Sequence, residues 1–321
     1  MLKFCTLFNA NYLSRGLAMY HSLEMRSSAF HLYIFAFDEH CYNVLNSLYL
    51  KNATVINIRK LENKELKIAR AGKTALEYCW TRASSSIKYC IDNYKLDHCT
   101  YVGADVLFFN DPAILIEEMG TKSVLITGQR HLPEDRKSGN ETYPVQFMTF
   151  KNTADGREVL NWWIDECLTK PNLEELQNRF STVHVLKHLG GGVAPWNVQQ
   201  YAFTKRGENL TGTEKSRGKN FDLIFYHYHG FQYTLNNSYI VSDPCYQISR
   251  NAIKNIYRPY ITALSSAERV IGAFNKNPVS YEVTNDIEWV RKGTVRYMLF
   301  FLRGYYKNVY TKTALSYGFL D

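Results

Sequence analysis

The sequence predicts an α/β protein with a mainly parallel sheet. Three observations carry this reading. Strand-like and helix-like patterns alternate through the first half of the chain, the order that builds βαβ units. The apolar run from Tyr101 to Phe109 is interrupted by a single carboxylate, Asp105, and open α/β sheets place ligands at the carboxyl ends of their strands. At 321 residues and 45% hydrophobic content, the chain can bury a substantial core in one large domain or two small ones.

The elements follow in order. Lys3 to Phe8 is a strand, and Tyr12 to Met25 a helix with Leu13, Leu17, Met19, Tyr20 and Leu23 near helical spacing. His31 to Phe37 is a β-rich run ending at Asp38. Tyr42 to Leu50 is helical, and Ala53 to Ile58 is the third strand. Helices over Asn63 to Ala71 and Thr74 to Tyr94 precede a strand over Thr100 to Phe109. A short helix over Pro112 to Met119 and strands over Ser123 to Thr127 and Val145 to Phe150 come next, with a polar loop over Gln129 to Thr142. Gly156 to Leu168 is an amphipathic helix carrying Trp162 and Trp163. Val183 to Leu186 is a strand, Thr204 to Asn220 an exposed hairpin or loop, and Leu223 to Tyr228 a further strand. Beyond Ser242 the chain becomes basic and helical in character.

The net charge of +8 and pI near 9.0 favour anionic partners such as nucleotides, polyphosphates or acidic membrane surfaces. No zinc finger, RNP-like or basic helical signature points to nucleic acid. The aromatic content is high, with 24 Tyr and 18 Phe, which either hold flat polar rings or pack the core. The seven cysteines form no CxxC pair and sit mostly in apolar runs, as buried free thiols of a reducing compartment do. The chain opens on a strand-like run, so no signal peptide is expected. No apolar run approaches the ~18 residues of a membrane span.

Three constellations carry chemistry. Asn11 and Tyr12 follow the first strand and open the first helix, a place to hold a base or sugar or a plain helix cap. His227 and His229, two apart on a strand, share a face and either serve structure or bind a cation or diphosphate. The run Gly190-Gly191-Gly192 lets a ligand approach the backbone, and Trp196 beyond it offers a sugar-stacking face or fills the core.

Together these residues resemble the GT-A nucleotide-sugar glycosyltransferases, especially the retaining family of glycogenin and the bacterial lipopolysaccharide galactosyltransferases. The family's first strand runs into an Asn-Tyr that holds the base, here Asn11-Tyr12. Its Asp-x-Asp binds manganese and the donor diphosphate, and Gly103-Ala104-Asp105 stands at that place. Its late His-x-x-Gly completes the metal site, matched by His227-Tyr228-His229-Gly230. Glu77-Tyr78-Cys79-Trp80-Thr81, the Trp-Trp helix, Val183-His184-Val185-Leu186 and the Gly190 to Asn197 stretch are similar to a bacterial group of sugar transferases. The resemblance spans residues 3 to 235.

The resemblance implies a GT-A fold with residues 1–241 as the transferase domain and 242–321 as a basic helical extension. It implies a Mn²⁺ or Mg²⁺ held by Asp105 and His227. The implied donor site comprises Thr6, Asn11, Tyr12, Gly103, Ala104, Asp105, Gly191, Gly192, His229 and Gly230, with Arg70, Lys73 and Arg82 as candidate diphosphate cations. The expected partners are a nucleotide-diphosphate sugar and a glycan or lipid-linked acceptor, with no nucleic acid. The expected location is cytoplasmic; the basic aromatic segment from Trp289 to Tyr310 either lies at the inner membrane face or packs as a helix on the domain or in a dimer contact. Three departures stand out. Gly103 replaces the first acid, the family's Asp-Gln has no counterpart where Leu168-Thr169-Lys170-Pro171-Asn172 stands, and Phe231-Gln232-Tyr233 replaces a Lys-Pro-Trp. They set up the alternative of a non-catalytic member that binds a nucleotide sugar or a partner.

Overall fold

The computed structural model describes residues 1–61, 75–132, 143–169, 175–207, 209–234, 238–274, 283–284, 287–288 and 292–317. Strands β1 (Leu2–Phe8), β2 (Phe30–Ala36) and β3 (Ala53–Asn57) pair in parallel, with Thr6 opposite Ile34 and Ile34 opposite Val55. β4 (His98–Val102) adds to the other side of β1, again in parallel. β5 (Val106–Phe108) leaves this sheet. β6 (Val124–Ile126), β7 (Phe147–Lys151) and β8 (Val183–Val185) complete it. Among the described residues the sheet has seven strands in the order β3-β2-β1-β4-β7-β6-β8, and only the two pairings of β7 are antiparallel.

Two apolar layers sandwich the sheet because alternate side chains of each strand point to opposite faces. On β1, Phe4 and Phe8 enter one core, shared with helix α1 (Leu13–Arg26), while Cys5 and Leu7 enter the other. α2 (Glu39–Ser47) is capped by Asp38, whose Oδ1 accepts from the Cys41 amide at 2.7 Å. The second core takes Ile87 and Ile91 from α3 (Ala75–Tyr94) and, beyond the short α4 (Ala113–Glu117), Leu160 and Trp163 from α5 (Ala154–Thr169). Trp163 stacks on Phe150 at 5.6 Å. Burying one such side chain contributes about 1.5–3 kcal/mol. Cys5, Cys41, Cys90, Cys99 and Cys167 are buried thiols outside any disulfide, and Cys245 is an exposed one.

The run expected as one strand over Thr100 to Phe109 is two. The Gly103 amide makes the last bond toward β7, to Gln146 O at 2.9 Å, and the chain then turns through Ala104-Asp105. β5 pairs antiparallel with β12 (Phe225–His227), and Tyr228 N donates to Asp105 O at 2.9 Å. Neither Gly103 nor Ala104 carries a side chain large enough to hold the chain in the first sheet.

After the four-residue helix α6 (Leu176–Arg179), β9 (Tyr201–Arg206) and β10 (Asn209–Glu214) form the hairpin that was one of the two readings there, and β11 (Asn220–Asp222) extends it to a three-stranded antiparallel sheet. The region beyond Ser242 is only partly helical. Helix α7 runs from Arg250–Ala252 through a π-helical Ile253–Tyr257 into Arg258–Phe274, and packs against α1. α8 (Val295–Leu302) and α9 (Lys312–Tyr317) follow. A four-stranded sheet, ordered β15-β13-β14-β16, joins β13 (Gln232–Thr234) and β14 (Ser238–Ile240) to β15 (Val283–Thr284) and β16 (Val309–Thr311). Strands of two or three residues carry no readable period, which is why the sequence pattern showed only helix there. The helix expected over Asn63 to Ala71 lies outside the described residues, as do Arg70, Lys73, Trp289 and Arg291.

Candidate active site

The site lies at the carboxyl edge of β1 and β4, where two parallel strands end side by side. β4 delivers Asp105 through the Gly103-Ala104 turn. Facing it, β12 delivers His227, and Asp105 Oδ1 stands 3.2 Å from His227 Nε2. Strand periodicity decides what β12 shows to each side. Phe225 packs on Phe108 and Phe147, and His227 and His229 follow on the same face, their rings 5.7 Å apart. Tyr226 and Tyr228 turn the other way, onto α7. There the Tyr226 and Tyr257 hydroxyls meet at 2.9 Å, Tyr228 donates to Ile256 O at 2.9 Å, and Tyr228 stacks on Tyr260 at 3.6 Å. Many of the tyrosines counted in the sequence are thus core residues.

Burial alone would push the Asp105 carboxyl up. His227, with Arg15 and His229 behind it, instead holds it well below the usual carboxylate range. Asp105 therefore stays ionised and available to a cation. The pair also has a suitable bite. Two neighbouring ligands of an octahedral ion at about 2.1 Å stand about 3.0 Å apart, and the Oδ1–Nε2 separation is close to that edge. His227 Nδ1 is buried without a protein partner, and Nε2 meets the Asp105 carboxylate, so an ion entering between the two side chains displaces that contact. The residues fit a Mg²⁺ or Mn²⁺ that takes its remaining ligands from phosphate oxygens and water. Among the described residues, the one converging trio of potential ligands is Cys5, Cys90 and Cys99, which sits in the core away from this edge.

The other expected residues fall in several places. Asn11 and Tyr12 form a half-buried 3₁₀ turn after β1, held by Asp38 Oδ2, which accepts from Ala10 N at 2.8 Å. Tyr12, rather than Asn11, occupies the cap position of α1. Thr6 is fully buried in β1, and Arg82 is buried on α3. Gly191 and Gly192 lie in a loop tied to the site from both sides. Arg130 donates to His188 O and Gly191 O, Asn197 Nδ2 donates to Gly192 O at 3.0 Å, and His227 N donates to Val193 O at 2.9 Å. Gly192 has φ +84°, and a Cβ there would meet Gln146 Nε2 at 3.1 Å, so glycine is required. Gly230 turns the chain at φ +75° just after His229.

Trp196 takes the core position, the second of its two readings. It is only 3% exposed, and its ring stands 5.5 Å from His227 and 5.4 Å from His229. Its face is spent on the histidines, so it orients imidazoles instead of stacking on a sugar. The sequence reading also passed over Arg15. This residue is buried on α1, its guanidinium stacks 4.1 Å over the Tyr12 ring, and Nη2 donates to Phe231 O at 2.9 Å. It joins the Asn11-Tyr12 turn to the segment after Gly230 and adds positive charge behind Asp105. A lone arginine in the apolar opening of α1, three residues after Tyr12, was the available signal.

The chain matches no protein-family model. It is 26% identical over 282 residues to the uncharacterized protein YfnD of Bacillus subtilis (strain 168), covering 81% of this chain and 88% of YfnD. A second uncharacterized protein of that organism, YfnF, is 26% identical over 251 residues, covering 71% and 81%. Among solved structures, the galactosyltransferase LgtC in complex with donor and acceptor sugar analogs aligns with a TM-score of 0.52 at 10% identity, covering 86% of this chain and 98% of LgtC. An active-site mutant of LgtC aligns at 0.53 and 11% identity, covering 85% and 96%. The chain has the GT-A fold of nucleotide-sugar glycosyltransferases, and its architecture resembles that of LgtC.

Proposed function

We propose that this protein is a glycosyltransferase. It moves a sugar from a nucleotide-diphosphate donor to a glycan or lipid-linked acceptor in surface polysaccharide synthesis, with Mn²⁺ or Mg²⁺ at Asp105 and His227. The observation that carries the reading is the meeting of Asp105 Oδ1 and His227 Nε2 at 3.2 Å on the ligand-binding edge of a GT-A sheet. The ion, when bound, neutralises charge building on the departing diphosphate. The protein's own groups do the rest. Asp105 and His227 fix the position of that charge, Trp196 holds the imidazoles, and Asn11 and Tyr12 take the nucleotide beside Arg15. Gly230 lets the donor approach the backbone beside His229, while Gly191, packed on Leu186 and Leu115, and Gly192, packed on Gln146, shape the loop that carries Val193 to His227. In this division residues 1–241 bind the donor, and 242–321 face the acceptor and the membrane.

Peripheral attachment is part of the proposal. α8 exposes Val295, Met298, Phe301 and Leu302, with Val295 78% and Leu302 75% exposed; Lys292, Arg303 and Lys307 flank it, and Arg296 within it pairs with Glu288. Apolar side chains bordered by cations suit an anionic bilayer surface. No helix among the described residues is long and apolar enough to cross a membrane. A second reading, a non-catalytic nucleotide-sugar-binding member, draws support from Gly103, which leaves the site one acid short.

The test is hydrolysis of a panel of nucleotide-diphosphate sugars with Mn²⁺ or Mg²⁺. The wild type should release nucleoside diphosphate, and Asp105→Asn should lose about 10²–10³-fold, the scale of one lost electrostatic contact at a reacting centre. Full activity in Asp105→Asn removes the metal-site assignment. Donor binding without turnover by the wild type establishes the second reading.

A further inference from the structure

A cavity of about 500 Å³ opens between the β10–β11 turn and the chain that follows α8. Its lining includes Lys215, Gln247, Ser249, Tyr306, Lys307 and Tyr310, with two ammonium groups and no carboxylate. Both walls are tied to the active site. On one side, Gln199 Nε2 donates to Trp196 O at 3.2 Å, and Lys215 Nζ donates to Gln199 O at 2.7 Å. Trp196 is the residue that packs on His227 and His229. On the other side, Asn308 Nδ2 donates to Asp243 O at 2.9 Å and Tyr246 O at 3.1 Å, and Asp243 N stands 3.5 Å from where a Cβ on Gly230 would sit. His229 and Lys307 both act on the Asp243 carboxylate, which Cys245 already holds low through hydrogen bonds. The cavity is thus linked to the proposed sugar-transfer centre through Trp196 on one wall and Asp243 on the other.

We infer that this cavity is an acceptor subsite and that it takes a phosphate carried by a sugar or polyol. The inference rests on the glycosyltransferase reading. The volume lies in the range of small-molecule sites. The Gln247 carboxamide and the Tyr310 hydroxyl supply donors and acceptors, the Tyr306 oxygen can accept while its O–H donates to Glu288 O at 2.7 Å, and the Ser249 O–H can donate while its oxygen caps Ala252 N at 3.1 Å, the mixture that a polyol needs. Two lysines act as point charges suited to a phosphate, whereas a planar carboxylate is better met by the fork of an arginine, and none lines the cavity.

The full-length protein is titrated calorimetrically at low salt with glycerol 3-phosphate, glycerol, glucuronate and inorganic phosphate. Glycerol 3-phosphate should bind, glycerol should not, and Lys307→Glu or Lys215→Glu should weaken binding at least tenfold. Both lysines are exposed, so these variants should fold. The same ligand should shield Lys307 from acylation, read by mass spectrometry. The inference is overturned if glycerol binds as well, if glucuronate binds better, if inorganic phosphate alone binds as tightly, or if Lys307→Glu binds like wild type. Asp105→Asn separates the two proposals, because it should lose donor binding and keep glycerol 3-phosphate. Phosphate-ester binding by a wild type that never binds a donor removes the transferase reading alone. Donor hydrolysis without phosphate-ester binding removes this one alone.

Discussion

Restoring an acid at position 103 tests the site from the gain side. Gly103 does not adopt the left-handed backbone that excludes side chains. A Cβ there would stand 3.0 Å from Asp105 Oδ1, 3.8 Å from Val106 Cγ2 and 3.9 Å from Gln146 O. The side chain of Gly103→Asp therefore enters once the Asp105 carboxylate moves by a few tenths of an ångström. Two carboxylates about 4 Å apart repel by about 4 kcal/mol at an effective dielectric near 20. Asp105 keeps 20% of its side chain exposed, and solvent reduces the net cost to about 1–2 kcal/mol without metal. A divalent cation between the two acids removes that repulsion. The variant should bind Mn²⁺ more tightly by about 5–30-fold, the equivalent of that energy. Calorimetric titration with Mn²⁺ and urea unfolding with and without it give both numbers. Lower metal-free stability with unchanged Mn²⁺ affinity would show that position 103 does not face the ion, and the reasoning would fail.

Three further outcomes are expected. Because neighbouring cations hold the Asp105 carboxyl below its usual range, its ionised form stabilises the fold. That contribution is fully present above about pH 4, the unfolded value, and is lost as pH falls through the lower folded value. The urea-stability gap between wild type and Asp105→Asn should hold or widen from about pH 7 to 4 and narrow only below it; a gap closing between about pH 6 and 5 contradicts the assignment. Trp196→Ala should cost about 3–5 kcal/mol, as for other buried aromatics. Trp196→Phe should cost much less, since the indole N–H has no protein partner to lose, and equal melting temperatures for the two variants would contradict the packing role. Phe301→Glu with Leu302→Glu should leave thermal stability unchanged, since both residues are exposed. It should abolish low-salt sedimentation with anionic vesicles, and a wild type that never sediments with them ends the membrane proposal.

The first half of the fold was legible because its strands and helices are long enough to show a period. β1, α1, β2 and β3 lie within a few residues of where the pattern put them. The break between β4 and β5 was not, since apolar residues on both sides of Asp105 read as one strand and the partner that captures β5 is more than a hundred residues later. The pairing of Asp105 with His227 had the same difficulty. Each residue was visible alone, and only the likeness to a known fold brought them together. Trp196 stayed undecided because a buried aromatic and a ligand platform look identical in sequence. Arg15 was missed because a helix pattern marks apolar residues and says nothing of a cation held beneath an aromatic ring.

The alternation along Phe225 to His229 places an unusual restriction on this segment. The residues are pinned on one side by tyrosine packing and on the other by imidazoles, so a single replacement disturbs one face at a time. Insertion or deletion of one residue is a different matter. It would rotate both histidines into the apolar shelf beside α7 and present phenols where imidazoles stood. Natural variation in this short stretch should therefore proceed by replacement at constant length, while the β9–β10 turn at Gly207, free of such double duty, can lengthen or shorten.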